Sequence, residues 1–133
     1  MLQMNIYEEF SRWLDDLLEI NELPDSTKAI CFNLYAESEE ENLYSAQIAA
    51  AGVFDPDDVS GEWACEMVWS SEENVFIVDT SDEDDTGWKH AQDLFKEMVE
   101  EYFRTGKYGR ILRSFEGAAI GFVDGDLELL DLN

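Results

Sequence analysis

Two kinds of apolar repeat alternate along this chain, and the order in which they come constrains the fold more than any other feature. Ile6, Phe10, Trp13, Leu14, Leu17 and Leu18 recur at helical spacing, so residues 3–20 are expected to form an amphipathic helix that ends before Pro24. Residues 29–36 and 43–51 then read as strands on either side of a polar turn, and Gly52 and Pro56 break the second of them. Trp63, Cys65, Met67 and Trp69 alternate with Glu62, Ala64, Glu66 and Val68, the period-two pattern of a strand with one buried face. Glu72, Glu73 and Asn74 turn the chain into a further strand at 75–78. Ala91, Leu94, Phe95, Met98, Val99, Tyr102 and Phe103 mark one face of a second helix over 88–104, which Gly106 stops, and a short helical turn follows at 110–115. Finally, residues 118–123 and 127–132 flank Asp124-Gly125, a pair favoured in tight hairpin turns. Helix, four strands, helix, two strands predicts a single α+β domain over residues 1–133. Its antiparallel or mixed sheet of about six strands would carry both main helices on one face.

Charge decides which functions such a domain can have. The 133 residues hold 32 Asp and Glu against eight Lys and Arg, a net charge of −24. Residues 1–88 contain twenty-three of the acids and only Arg12 and Lys28 as bases, whereas 89–113 contain four acids and six bases. With 45% hydrophobic and 13% aromatic residues the chain has the apolar area a folded body needs, so it is no disordered acidic tail. Spread over the roughly 7,000 Å² expected for this size, the carboxylates repel one another at low salt and repel phosphates as well. Direct binding of nucleic acid or anionic lipid is therefore disfavoured. No stretch approaches the apolar length that spans a bilayer, and the first ten residues lack the pattern of a secretory signal, so a cytoplasmic protein is expected. Cys31 and Cys65 lie in apolar runs, which suits buried thiols better than a disulfide framework.

Four groups of residues could carry chemistry. Asp82, Asp84, Thr86 and Gly87 with Asp93 imitate part of the spacing of a calcium loop, but Lys89 occupies the usual apolar position and Asp closes the loop in place of Glu. Asp124, Asp126, Glu128 and Asp131 could offer carboxylates to a metal, although an edge hairpin kept soluble by outward acids has the same pattern. His90 with Cys31 or Cys65 would need a thiol beside a general base and a group to orient that base. Trp63, Trp69 and Trp88 lie among acids at Glu62, Glu66, Asp82, Glu83, Asp84 and Asp85, a composition suited to recognising a basic protein. Of the three, Trp63 and Trp69 are expected in the core, and Trp88, at the mouth of the second helix, partly exposed. No catalytic residue and no cofactor is assigned. The partner-binding residues expected from charge density are Asp82, Glu83, Asp84, Asp85 and Trp88, supported by Asp55, Asp57, Asp58, Glu39, Glu40 and Glu41.

In its size, charge and α+β layout the whole chain resembles the small, acidic, cytoplasmic immunity proteins that accompany bacterial polymorphic and contact-dependent toxins. Locally the resemblance is carried by Phe54-Asp55-Pro56-Asp57-Asp58, by Glu62-Trp63-Ala64-Cys65-Glu66 and by Gly121-Phe122-Val123-Asp124-Gly125-Asp126-Leu127. It implies a one-to-one inhibitor of a cognate basic toxin, often a nuclease, whose substrate channel the inhibitor blocks. Two other readings use the same acids: a DNA-mimic regulator of a basic nucleic-acid-binding protein, and a small divalent-metal-dependent hydrolase built on Asp124 and Asp126. A scaffold subunit is a further possibility, and monomer and homodimer are equally compatible with the residues.

Overall fold

Helical and strand periodicities resolve, in the computed structural model, into one α+β domain. The structure describes residues 4–38, 43–55, 57–58, 62–72, 74–79, 88–122 and 127–130. In chain order they form α1 (Met4–Ile20), β1 (Ala29–Ser38), β2 (Leu43–Ala51), a 3-10 turn (Glu62–Cys65), β3 (Met67–Ser70) and β4 (Phe76–Asp79). There follow α2 (Trp88–Thr105), α3 (Gly109–Arg113), β5 (Gly117–Phe122) and β6 (Glu128–Leu129). Both main helices fall where apolar spacing puts them. The side-chain amide of Asn21 closes α1 by donating to Leu17 O at 3.0 Å. Gly106 closes α2, its N–H donating to Tyr102 O at 2.7 Å. A Cβ at Gly106 would lie 2.5 Å from the Tyr102 ring, so this stop needs a residue without a side chain.

The sheet is mixed. Its order is β3-β2-β1-β5-β6, with β4 also bonded to β2. β1 and β2 form a long antiparallel pair in which Ala29 faces Ala51 and Ser38 faces Leu43. β5 runs parallel to β1, with Ala29 opposite Gly117 and Leu34 opposite Phe122. β3 and β4 follow one another along the same edge of β2, against Ala49–Ala51 and Leu43–Ala46 respectively. Between them Ser71 keeps the ladder in step: its N–H donates to Ile48 O at 2.9 Å, and its hydroxyl accepts from Ile48 N–H at 3.3 Å. Glu72 then takes a left-handed backbone, φ 54°, which ends the strand.

One face of the sheet carries the helices. Ile30, Phe32 and Leu34 of β1, Tyr44, Ala46, Ile48 and Ala50 of β2, and Ala118, Ile120 and Phe122 of β5 pack against it. Their partners are Phe10, Leu14 and Leu17 of α1 and Phe95, Met98, Val99, Tyr102 and Phe103 of α2. The other face is built of small residues at one end. Ala29, Cys31, Ala49, Ala51 and Ala119 form a floor that Trp63 covers, with Phe54 and Leu127 beside it. Trp63 is only 5% exposed and meets Phe54 edge to face, centroids 4.8 Å apart at 81°.

That second cluster corrects one expectation. Trp63 and Cys65 are not part of a strand: Glu62–Cys65 is a 3-10 turn, and pairing with β2 begins only at Met67. Alanines leave a gap above the sheet that an indole fills, so Trp63 is buried by lying over the ladder instead of within it. The alternation reported its burial correctly and its backbone wrongly. β6 is also shorter than the expected strand, two residues opposite Ala119 and Ile120.

Candidate protein-docking surface

Strand pairing gathers the acidic connections at one end of the sheet. Ser38, the last residue of β1, lies opposite Leu43, the first of β2. Asp79, the last of β4, lies on the other side of Leu43. β5 runs in the same direction as β1 and leaves the sheet at Phe122, beside Leu34. The connections 39–42, 80–87 and 123–126 are therefore anchored at this end. In sequence they hold Glu39, Glu40, Glu41, Asp82, Glu83, Asp84, Asp85, Asp124 and Asp126, and no Lys, Arg or His. Those residues lie outside the described ones, as does the Trp88 side chain; the backbone of Trp88 begins α2.

Asp55, Asp57 and Asp58 belong elsewhere. They follow Ala51, the far end of β2, which at about 3.3 Å per residue is roughly 26 Å along the strand from Leu43. Asp55 there has a local role, its carboxylate accepting the Asp57 N–H at 3.0 Å and its carbonyl the Asp58 N–H at 3.2 Å. The structure thus separates this trio from the strand ends that hold the other expected acids.

The strands themselves bring no cation to the acidic end. Between Lys28 and Lys89 the sequence has no Lys or Arg, so β1 to β4 contribute none. Among the described residues, ion pairs join Lys28 with Glu116 at 3.7 Å, Lys89 with Asp93 at 3.3 Å, Lys96 with Glu128, Arg104 with Glu101 at 2.8 Å and Lys107 with Glu19 at 4.0 Å. Lys96 donates to Glu128 and holds that carboxyl below its ordinary range. Arg104 does the same to Glu101. Three of these bases, Lys89, Lys96 and Arg104, stand on α2, whereas residues 29–88 hold sixteen acids and no Lys or Arg.

Near the acidic end the second face of the sheet carries a polar network. Asn33 and Tyr35 of β1 alternate with the core residues Phe32 and Leu34; Ser45 and Gln47 of β2 alternate with Tyr44, Ala46 and Ile48. Gln47 Oε1 accepts from Asn33 Nδ2 at 3.0 Å and from the Tyr35 hydroxyl at 3.4 Å, and Gln47 Nε2 donates to Glu72 O at 3.0 Å. The Ser45 hydroxyl donates to Glu37 Oε1 at 2.7 Å. Ile77 of β4, opposite Ser45, is 56% exposed. These side chains are held by one another, which orders the surface before any partner arrives. Sequence reasoning missed them, because polar positions inside strand-like runs look like ordinary outward residues; the alternation Asn33, Tyr35, Glu37 was the available signal.

The chemical alternatives gain little from the geometry. Glu128 faces the helices, where its carboxylate accepts from Lys96 and, at 3.3 Å, from Gln92 Nε2; Asp124, Asp126 and Asp131 lie outside the described residues. Asp93 pairs with Lys89, and the rest of the calcium-like segment is outside as well. Among the described residues no group of three or more His, Cys, Asp or Glu is placed to hold a metal ion. Cys31 is buried on the Trp63 side of the sheet while α2, which carries His90, covers the other side, so the sheet separates that thiol from that imidazole. The Cys65 side chain lies outside the described residues. No described helix is long and apolar enough to cross a membrane. Trp69 packs against the main core and Trp63 forms the second one, as expected for both. Comparison with family models, curated proteins and solved structures finds no match to this chain.

Proposed function

We propose that this protein is a stoichiometric, acidic protein-binding inhibitor of the immunity type, which neutralises a basic toxin domain, such as a nuclease, in the cytoplasm by occluding its cationic cleft. The observation that supports this reading is that three acid-bearing connections are anchored at one end of a sheet whose strands β1–β4 carry no Lys or Arg. A cleft that binds phosphate is cationic, so a dense carboxylate surface is complementary to it. Such complementarity raises encounter rates by about 10- to 1000-fold at low salt. An inhibitor that guards its own cell against a toxin benefits from that speed. Affinity, by contrast, comes from a desolvated centre, because charges at a wet rim contribute mainly to rate.

The test is capture by the tagged protein of a basic partner from host extract, followed by assay of that partner's own activity. The reading requires loss of activity at one-to-one stoichiometry, and release when Asp82, Glu83, Asp84 and Asp85 are all changed to Lys. A captured protein whose activity is untouched at equimolar inhibitor would refute the reading. Displacement of the partner by duplex DNA alone would point to mimicry of nucleic acid.

A further inference from the structure

At the other end of the sheet two chain segments are held side by side and leave a cleft between them. Residues 21–28 run from α1 into Ala29, the start of β1, and residues 114–116 run from α3 into Gly117, the start of β5; Ala29 and Gly117 are partners in the ladder. Just outside it the Glu116 N–H donates to Lys28 O at 2.8 Å, and the two side chains form an ion pair at 3.7 Å. Each wall is also fixed from within. Asn21 closes α1 on Leu17 O, the Thr27 N–H closes a turn on Pro24 O at 3.0 Å, and the Ser114 hydroxyl donates to Ile111 O at 2.6 Å. Between the walls is a half-open cleft of about 400 Å³, within the range of about 300–1,000 Å³ usual for small-ligand sites. Walls fixed by the fold leave little ordering to be done when a ligand arrives.

The lining of the cleft has one chemical bias. Leu18, Leu23, Tyr108 and Phe115 pack against the main core on one side and line the cleft on the other, and Ile111, 51% exposed, stands beside them. Glu22 and Asp25, both exposed, supply the charge, and the described residues of the lining include no Lys, Arg or His. α1 ends here too, bringing the negative end of its dipole and no base in its last turn. The bases nearby are engaged outside the cleft. Lys107 pairs with Glu19 at 4.0 Å, and its ammonium stands 5.4 Å from the centroid of the Tyr108 ring, so this ring already receives a cation from the chain itself. Arg113 Nε donates back to Gly109 O at 3.4 Å, and neither Arg113 nor Arg110 lines the cleft. Apolar and aromatic walls with two exposed carboxylates suit an ammonium carried on an apolar body, which covers the walls while the charge stays beside the acids. We infer that the cleft between residues 21–25 and α3 is a binding site for a small organic cation, an amine with an aromatic or aliphatic body. It lies at the opposite end of β1 from the acidic connections and does not depend on the inhibitor reading.

The test uses the full ¹⁵N-labelled chain at about 0.15 M salt, where the reach of the general negative field is about 8 Å. Phenethylammonium is titrated to millimolar concentration beside 2-phenylethanol, which lacks the charge, and methylammonium, which lacks the ring. The expected result is amide shifts concentrated at residues 18–25 and 108–115. Phenethylammonium should bind about threefold or more tighter than the alcohol and about fivefold or more tighter than methylammonium. Glu22→Gln with Asp25→Asn should bring the amine down to the affinity of the alcohol, and Ile111→Ser should weaken both phenyl compounds by about twofold or more. Glu9→Gln with Glu97→Gln, an equal change of charge at exposed positions outside the cleft, should leave all three compounds unchanged. Each substituted side chain is exposed, so the variants are expected to fold, and the spectrum itself reports whether they do. Shifts spread over the whole surface, equal affinity of amine and alcohol, equal affinity of the two amines, as large a loss from the Glu9 and Glu97 pair, or no shift at all would each overturn the inference.

Discussion

Gly117 opens β5 directly beneath Phe54, and its replacement by Ala measures how the second core is held. A Cβ at this position would lie 2.1 Å from Phe54 Cζ and 2.4 Å from Cε1. The ring has little freedom to retreat, because its other side meets Trp63, which in turn covers the alanine floor. Two responses are open. Ring and sheet can strain against the new methyl, at about 1–3 kcal/mol. Alternatively the ring can be expelled, forfeiting much of the roughly 1.5–3 kcal/mol that burial of a phenyl side chain contributes. Gly117→Ala therefore costs about 1–3 kcal/mol by either route. In a Phe54→Ala background the methyl enters vacated space, and the same substitution should be neutral within about 0.5 kcal/mol or slightly stabilising through the unfolded chain. The double variant is then more stable than the sum of the single losses by about 1–3 kcal/mol, beyond the 0.3–0.5 kcal/mol scatter of independent sites. Urea unfolding at fixed salt, followed by tryptophan fluorescence and circular dichroism, reads all four proteins. A Gly117→Ala penalty that is the same in both backgrounds would refute the reasoning, since it would show that the methyl and the ring do not compete for one space.

Three further outcomes follow from single contacts. Tyr102 is buried, donates to Asp15 Oδ1 at 2.7 Å and accepts from Tyr108 N–H at 3.3 Å; burial first and Asp15 second push its hydroxyl well above its ordinary pKa. Tyr102→Phe should cost about 1–2 kcal/mol by equilibrium unfolding, the price of an acceptor and a donor left without their partner. Lys96→Met removes the partner of Glu128, a half-exposed pair worth less than about 1 kcal/mol near neutral pH. Because Lys96 lowers the Glu128 carboxyl below 4.5, that contribution is complete above this pH and lost as the pH falls through the folded value. The difference in Tm between wild type and variant should accordingly be constant at about pH 6–7 and narrow below about pH 4.5. Finally, a net charge of −24 predicts a Tm that rises as salt increases from about 0.02 to 0.3 M, the range over which the screening length falls from about 20 to 6 Å. A flat profile by calorimetry would mean that the acids are compensated in the fold.

Helices and the long hairpin were legible because their signals are local. The apolar stripe of Phe10, Leu14 and Leu17 and that of Phe95, Met98, Tyr102 and Phe103 each arise within one element, and the turn before Leu43 separates two strands that pair with each other. Parallel pairing of β1 with β5 joins residues about ninety positions apart, for which no local pattern exists. The same holds for the acids. Each acidic run was visible alone, but whether two runs share an end of the molecule depends on strand direction and register. Pairing brings the anchors of Glu39, Glu40, Glu41, Asp82, Glu83, Asp84 and Asp85 together and sends Asp55, Asp57 and Asp58 to the far end of β2. Trp63 shows the limit of periodicity itself, since alternation over a few residues records which side chains are buried and not whether the backbone joins a ladder.

Capture of the basic partner across a salt series, with charge reversed separately at the two ends of the sheet, tests the central claim most directly. Docking through the acidic connections predicts that changing Glu39, Glu40, Glu41, Asp82, Glu83, Asp84 and Asp85 to Lys abolishes both capture and its salt dependence. It also predicts that changing Asp57 and Asp58 to Lys, at the far end of β2, leaves capture and inhibition close to wild type. Equal losses from the two ends, or retention that survives reversal of the connections, would contradict the account.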